Sequence, residues 1–176
     1  MECRDALENA GGDTEKAREY LRKKGKEKAR KKSGRETKEG IVVAYIHSNK
    51  KIGALVEIRC ETDFVAKNLE FQDLAYDLAM HVAAMDPKYI LVDEVPRKEK
   101  EEYETLARKE LAGEKKPAEI IEKIIAGKTA KYFSEQCLMN QKFIKNPDIT
   151  VEDLIKEKIS KIGENIKVER IVRFEI

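Results

Sequence analysis

Residues 41–61 read IVVAYIHSNKKIGALVEIRCE, and this run decides the fold. Residues 41–47 and 52–61 are rich in β-branched and apolar side chains, with Ser48-Asn49-Lys50-Lys51 between them, so composition and turn chemistry predict a β-hairpin. In the second strand Ile52, Ala54, Val56, Ile58 and Cys60 share one face. Glu57, Arg59 and Glu61 lie on the other, with Leu55 as the exception.

The C-terminal tail repeats the pattern. Ile166, Val168, Val172, Phe174 and Ile176 alternate with Lys167, Glu169, Arg173 and Glu175, and the phase breaks once at Arg170-Ile171. Between hairpin and tail the period changes to that of helices. Phe71, Leu74, Ala75, Leu78, Val82 and Met85 form one stripe that stops before Pro87. Pro96 opens a charged segment reaching Gly113 with Tyr103, Leu106, Ala107 and Leu111 in line. Pro117 opens another through Ile121, Ile124, Ile125, Lys128 and Tyr132. Thr150-Val151-Glu152-Asp153 matches a capping box for a helix carrying Leu154, Ile155, Ile159 and Ile162 and ending at Gly163. Strands at both ends of a helical middle predict an α+β core over residues 41–176, with an antiparallel three-stranded sheet packed by helices.

The N-terminal side has a different character. Residues 1–15 carry net charge −4, whereas residues 16–40 hold twelve Lys/Arg against four Glu, a net of +8. Residues 1–25 read as two short helices, the first ending at Gly11-Gly12 and the second capped by Asp13 or Thr14 and closing near Gly25. Residues 26–40 read as a basic linker.

Several classes are disfavoured early. The 176 residues contain 36 Lys+Arg and 34 Asp+Glu, and the longest uncharged run, residues 40–49, is far short of the roughly 18 apolar residues of a membrane span. The start, Met1-Glu2-Cys3-Arg4, lacks the basic and apolar regions of a secretory signal. Cys3, Cys60 and Cys137 are too scattered for a disulfide framework or a metal site with His47 and His81, and a reducing cytosol suits them. Neither a phosphate-cradling loop nor a dinucleotide fingerprint is present, so no cofactor is expected. A Cys60–His81 nucleophile–base pair is conceivable but has no local support. The basic segment from Lys16 to Lys38 has one aromatic, Tyr20, and no interleaved stacking series. It reads as a solvated linker or as a weak RNA contact, without specific nucleic-acid recognition.

The segment Glu61-Thr62-Asp63-Phe64-Val65-Ala66-Lys67-Asn68 leaves a strand and enters a helix. Two readings stand on the residues alone. Thr62 or Asp63 caps the helix while Phe64 and Val65 turn inward, or Phe64 projects beside an acid as an anchor for a partner's pocket.

The same segment resembles the signature of the elongation factor Ts family, the nucleotide-exchange factors for elongation factor Tu. Other stretches agree in order along essentially the whole chain. Met1-Glu2-Cys3-Arg4-Asp5-Ala6-Leu7 with Gly11-Gly12-Asp13 is similar to the family's N-terminal ubiquitin-associated-like domain, and Met80-His81-Val82-Ala83-Ala84 to a core helix. Gly163-Glu164-Asn165-Ile166 and Arg173-Phe174-Glu175 resemble the closing strand. By this resemblance the chain begins inside the loop before the second helix of a truncated N-terminal domain. It also carries one copy of a core that longer members duplicate, like the short form, some members of which are homodimers.

The resemblance implies a factor without covalent catalysis that acts in translation elongation in the cytoplasm. It would bind GDP-bound and nucleotide-free elongation factor Tu and promote GDP release so that GTP can enter. Asp63 and Phe64 would push between helices of the partner's GTP-binding domain, with Thr62 and Val65 shaping the tip, and dislodge the partner's Mg²⁺. Met1 would pack on the partner, and His81 with the closing strand would face the partner's other domain or a second protomer. The competing expectations are a basic ribosome- or RNA-associated adaptor without exchange activity and a cysteine-dependent enzyme.

Overall fold

The alternation over residues 41–61 folds into two antiparallel strands, β1 (Glu39–Ile46) and β2 (Ile52–Cys60), in a computed structural model that describes residues 1–111 and 117–176. Asn49 shapes the turn, its side chain accepting from the Lys51 N–H at 2.9 Å. The tail forms β5 (Lys167–Glu175), which pairs antiparallel with β2, giving the order β1-β2-β5. The phase break in the tail is a β-bulge: Glu57 faces Arg170 and Ile58 faces Val168, leaving Glu169 as the extra residue.

One sheet face carries the core. Ala54, Val56, Ile58 and Cys60 of β2 are buried with Phe71, Leu74, Ala75, Leu78, Ala79 and Val82 of α4 (Leu69–Met85). Burying each large apolar side chain contributes about 1.5–3 kcal/mol, so this contact dominates the domain's stability. A one-turn helix, α3 (Asp63–Ala66), connects β2 to α4. The helix α7 (Val151–Ile162) closes the core with Val151, Ile155 and Ile159. Thr150 Oγ1 caps it by accepting from Asp153 N at 3.1 Å, and Gly163 ends it in the left-handed conformation at φ 91°. Lys158 and Lys161 of α7 both reach Glu70 on α4 at 2.7 Å, and their hydrogen bonds, with their charge, hold its carboxyl below the usual range.

The expected end of the second N-terminal helix is corrected. Following α1 (Glu2–Asn9), α2 spans Thr14–Lys32 and runs straight through Gly25, so residues 26–32 of the expected linker are helical. A glycine inside a helix costs only about 0.5–1 kcal/mol, and packing outweighs that here. A Cβ on Gly25 would meet Ser160 Oγ at 3.5 Å, Lys26 pairs with Asp153 at 2.7 Å, and Lys32 Nζ donates to the Gly163 carbonyl. Ala29 is buried in the main core. The helix therefore has a partner in α7, which its apolar content alone did not disclose.

Two long helices, α5 (Arg97–Leu111) and α6 (Ala118–Gln136), pack on each other around Ala107, Leu111 and Ile125. Tyr103 stacks on Tyr132 with ring centroids 4.3 Å apart, and Arg108 grips Glu122 through two bonds of 2.9 and 3.1 Å. The expected end of the first of these helices at Gly113 lies outside the described residues. A small hairpin of β3 (Lys142–Phe143) and β4 (Asn146–Thr150), absent from the sequence expectations, precedes α7.

Candidate functional site

The peptide leaving β2 has its aromatic ring outside the protein. Phe64 is 82% exposed, and Asp63 beside it is exposed too. Val65 packs partly against the core and Ala66 is buried, so the single turn of α3 uses its inward side for these two small or branched residues and leaves Phe64 on the outer side. Of the two readings left open by the residues, the inward-turned Phe64 is excluded. Thr62 is the helix cap: its hydroxyl accepts from the Val65 N–H at 3.5 Å, and its carbonyl accepts from Ala66 N at 3.2 Å. Asn68 caps α4 in turn, accepting from Glu70 N at 2.7 Å.

Asp63 pairs with Lys67 at 2.8 Å, and the lysine's hydrogen bond and charge lower the carboxyl's pKa, so it is ionised at neutral pH. Both groups lie in solvent and are free to exchange partners. Leu69, the first residue of α4, is 76% exposed and adds a second apolar group to this end. The sequence carried a signal for it. Leu69 stands two residues, about 200°, from the buried stripe that begins at Phe71, and so lies on the polar side of its helix.

The tip is tied to the turn between α7 and β5. Glu164 Oε2 accepts from the N–H groups of Glu61 at 3.1 Å and Thr62 at 3.0 Å, while Oε1 accepts from the Thr62 hydroxyl at 2.6 Å. In return, Glu61 Oε1 accepts from Asn165 N at 2.6 Å. The buried Asn165 side chain donates to the carbonyls of Ser33 at 3.3 Å and Arg35 at 2.8 Å, bringing the segment after α2 to the same place. In the sequence Glu164 and Asn165 stand out only as the approach to the closing strand.

The remaining site residues fall elsewhere. Met1 is 94% exposed at the start of α1. His81 is corrected: it is fully buried and offers no surface to a partner. Its position explains why, since it lies three residues after Leu78 and seven after Leu74, on the buried stripe of α4. Its Nδ1 accepts from Ile144 N at 3.3 Å and its Nε2 donates to Gln141 Oε1 at 3.0 Å, so burial keeps a neutral ring and lowers its pKa. Gln141 also donates to the Glu135 carbonyl at 2.8 Å, making the pair an internal strut between α4 and the segment after α6.

The Cys60–His81 pair does not form. Both ring nitrogens are engaged, and the Cys60 thiol donates to the Thr62 carbonyl at 3.2 Å, with burial pushing its pKa up to about 11. A thiol protonated at neutral pH is a poor nucleophile.

The sheet's second face forms a separate apolar surface. Val42 and Ile46 of β1, Leu55 of β2, and Val172 and Phe174 of β5 are all exposed there, and the register sets Leu55 beside Val172. Gly53 lies between Ile46 and Phe174, and a Cβ on it would meet Ile46 Cδ1 at 2.7 Å, so its bareness lets the isoleucine lie across the strand. Among the described residues, no helix is long and apolar enough to cross a membrane.

Phe64→Ala is expected to change unfolding free energy by less than about 0.5 kcal/mol, as at an exposed site. Phe71→Ala, which empties a core position, is expected to cost about 3–5 kcal/mol. Urea unfolding of the two variants checks this, and comparable losses would place Phe64 in the core.

A profile described as "Elongation factor TS" matches residues 6–176. An elongation factor Ts from Thermosipho melanesiensis is 54% identical over 176 residues, covering all of this chain and 90% of that protein. One from Carboxydothermus hydrogenoformans is 53% identical over all of this chain and 81% of its own length, and one from Fervidobacterium nodosum 49% identical over all of this chain and 89% of its own. With a family match along nearly its whole length and relatives at about half identity, the chain belongs to the elongation factor Ts family.

Proposed function

We propose that this chain is a guanine-nucleotide exchange factor that uses Phe64 as a wedge against elongation factor Tu. Membership in the family implies the exchange role in translation elongation. The single observation that supports the wedge is the 82% exposure of Phe64 on a capped turn bonded to a distant part of the chain. An exchange factor binds the nucleotide-free partner more tightly than the GDP-bound one, and linkage makes the weakening reciprocal. Burying one exposed Phe contributes on the order of 2 kcal/mol. If it is buried only in the nucleotide-free complex, that shifts the ratio of the two affinities about 30-fold.

On this reading Phe64 enters between helices of the partner's GTP-binding domain, with Asp63 beside it and Thr62 and Val65 forming the base of the tip. Their entry displaces the Mg²⁺ held by the partner, stripping charge compensation from the phosphates and speeding GDP release. Met1 supplies a second contact at the exposed end of α1. No covalent bond is made to this chain, and the setting is the cytoplasm. The RNA-adaptor reading is weaker, because the cations of α2 are largely matched within the chain. Lys16, Arg18, Lys23, Lys24, Lys26, Lys28 and Lys31 each lie within 3.6 Å of a carboxylate.

The bare sheet face fits a second copy of this chain. Its charges gather at one end, where Glu57 bonds both Arg170 (2.6 Å) and Arg59 (2.8 Å), and the apolar remainder is compatible with itself across a two-fold axis. Two such sheets would stack at about 10 Å, interdigitating the side chains left exposed here.

Phe64→Ala is expected to cut the maximal acceleration of GDP release from elongation factor Tu by about tenfold or more, read by stopped flow with a fluorescent GDP. Undiminished acceleration would remove the wedge. Light scattering is expected to give a dimer for the native chain and a monomer for Phe174→Asp, and a monomeric native chain would rule out the sheet-to-sheet contact.

A further inference from the structure

The orientation of the Phe64 ring is decided two residues earlier. Because α3 is one turn long, its direction follows from how its cap residue is held, and every polar group of Thr62 is engaged. Its N–H and hydroxyl go to Glu164, and its carbonyl takes the Ala66 N–H and the Cys60 thiol, each at 3.2 Å. Glu164 comes from 102 residues away in the chain, on a turn set by Gly163 at φ 91°. Two carboxylates thus each accept backbone N–H donors from the opposite segment: Glu164 those of residues 61 and 62, Glu61 that of Asn165.

This clasp has no evident duty in holding the sheet. Glu164 precedes β5, which is already paired with β2 from Arg59–Lys167 to Ile52–Glu175, and all three bonds to the carboxylate come from the tip. Nor does it rescue a buried donor at Thr62, which lies exposed where water would satisfy it. A charged acceptor taking three donors at once restricts the peptide more than water does, so what it supplies is order.

We infer that Glu164 is a positioning residue for exchange: it holds Thr62 so that Phe64 is presented in one direction, without itself touching the partner's nucleotide. The inference rests on the reading of Phe64 as the wedge. Asn165 extends the clasp, since its buried side chain bonds Ser33 and Arg35 and fixes the segment after α2 to the same turn.

The test uses the full chain with Glu164→Ala, Glu164→Gln, Phe64→Ala and the double variant Glu164→Ala/Phe64→Ala. In the isolated factor, amide hydrogen exchange at residues 61 and 62 is expected to quicken roughly tenfold or more in Glu164→Ala, with the sheet amides unchanged and Glu164→Gln intermediate. With elongation factor Tu, GDP release measured against factor concentration is expected to show a maximal rate lowered about tenfold in Glu164→Ala, by no more than in Phe64→Ala, and largely restored in Glu164→Gln. The double variant is expected to be no slower than Phe64→Ala alone, because Glu164 acts through that ring. Unchanged exchange at residues 61 and 62, loss of protection spread through the sheet, or additive losses in the double variant would each overturn the assignment. If Phe64→Ala alone leaves the maximal rate intact, the wedge reading fails, while the amide measurement still decides whether Glu164 orders the tip.

Discussion

The packing of α4 across one face of the three-stranded sheet constrains everything else in this molecule. Phe71, Leu74, Leu78 and Val82 fill the space above Val56 and Ile58, leaving the connector between β2 and α4 four helical residues in which to turn. Only two of those, Val65 and Ala66, reach the core; Phe64 is left outside by the same geometry that brings α4 down onto the sheet. One helical layer also covers one face, so the opposite side of β1, β2 and β5 keeps its apolar residues in view. Two exposed apolar features thus arise from a single packing decision.

Exposure by itself does not make a lever, because a ring on a loose loop would lose ordering entropy on docking. Here the loop is stitched down before any partner arrives. Glu164 and Glu61 exchange backbone donors across the gap between the tip and the α7–β5 turn, and Asn165 carries the link on to the end of α2. If Phe64 acts as the proposed wedge, a pre-ordered projection lets more of the roughly 2 kcal/mol available from burying it appear as discrimination between partner states. The bonds that achieve this join residues about a hundred positions apart in the chain.

That separation explains what could be read from the sequence. The hairpin, the tail strand and the stripe from Phe71 to Met85 follow from local periodicity, and the phase break at Arg170 marked the bulge beside Glu169. Gly25 misled because a glycine has two uses, a helix stop or a close crossing, and only the position of Ser160 shows which applies. The motif around His81 points to a partner surface, but its spacing from Leu74 and Leu78 places the ring inside, where Gln141 and Ile144 satisfy both nitrogens. The identity of the tip was legible as a motif, but its direction was not, since the residues alone allowed Phe64 to turn inward. Glu164 was invisible as a support because no local pattern ties a residue after a helix-ending glycine to a cap about a hundred residues earlier in the chain.

The claim that Phe64 works against the partner rather than within its own subunit is tested most directly by photo-crosslinking from that position. With a benzophenone amino acid in place of Phe64, a covalent adduct to the GTP-binding domain of elongation factor Tu is expected, strong when the partner is free of nucleotide and fading as GDP is added. An adduct confined to the factor's own chain, or none at all while exchange activity persists, would contradict it.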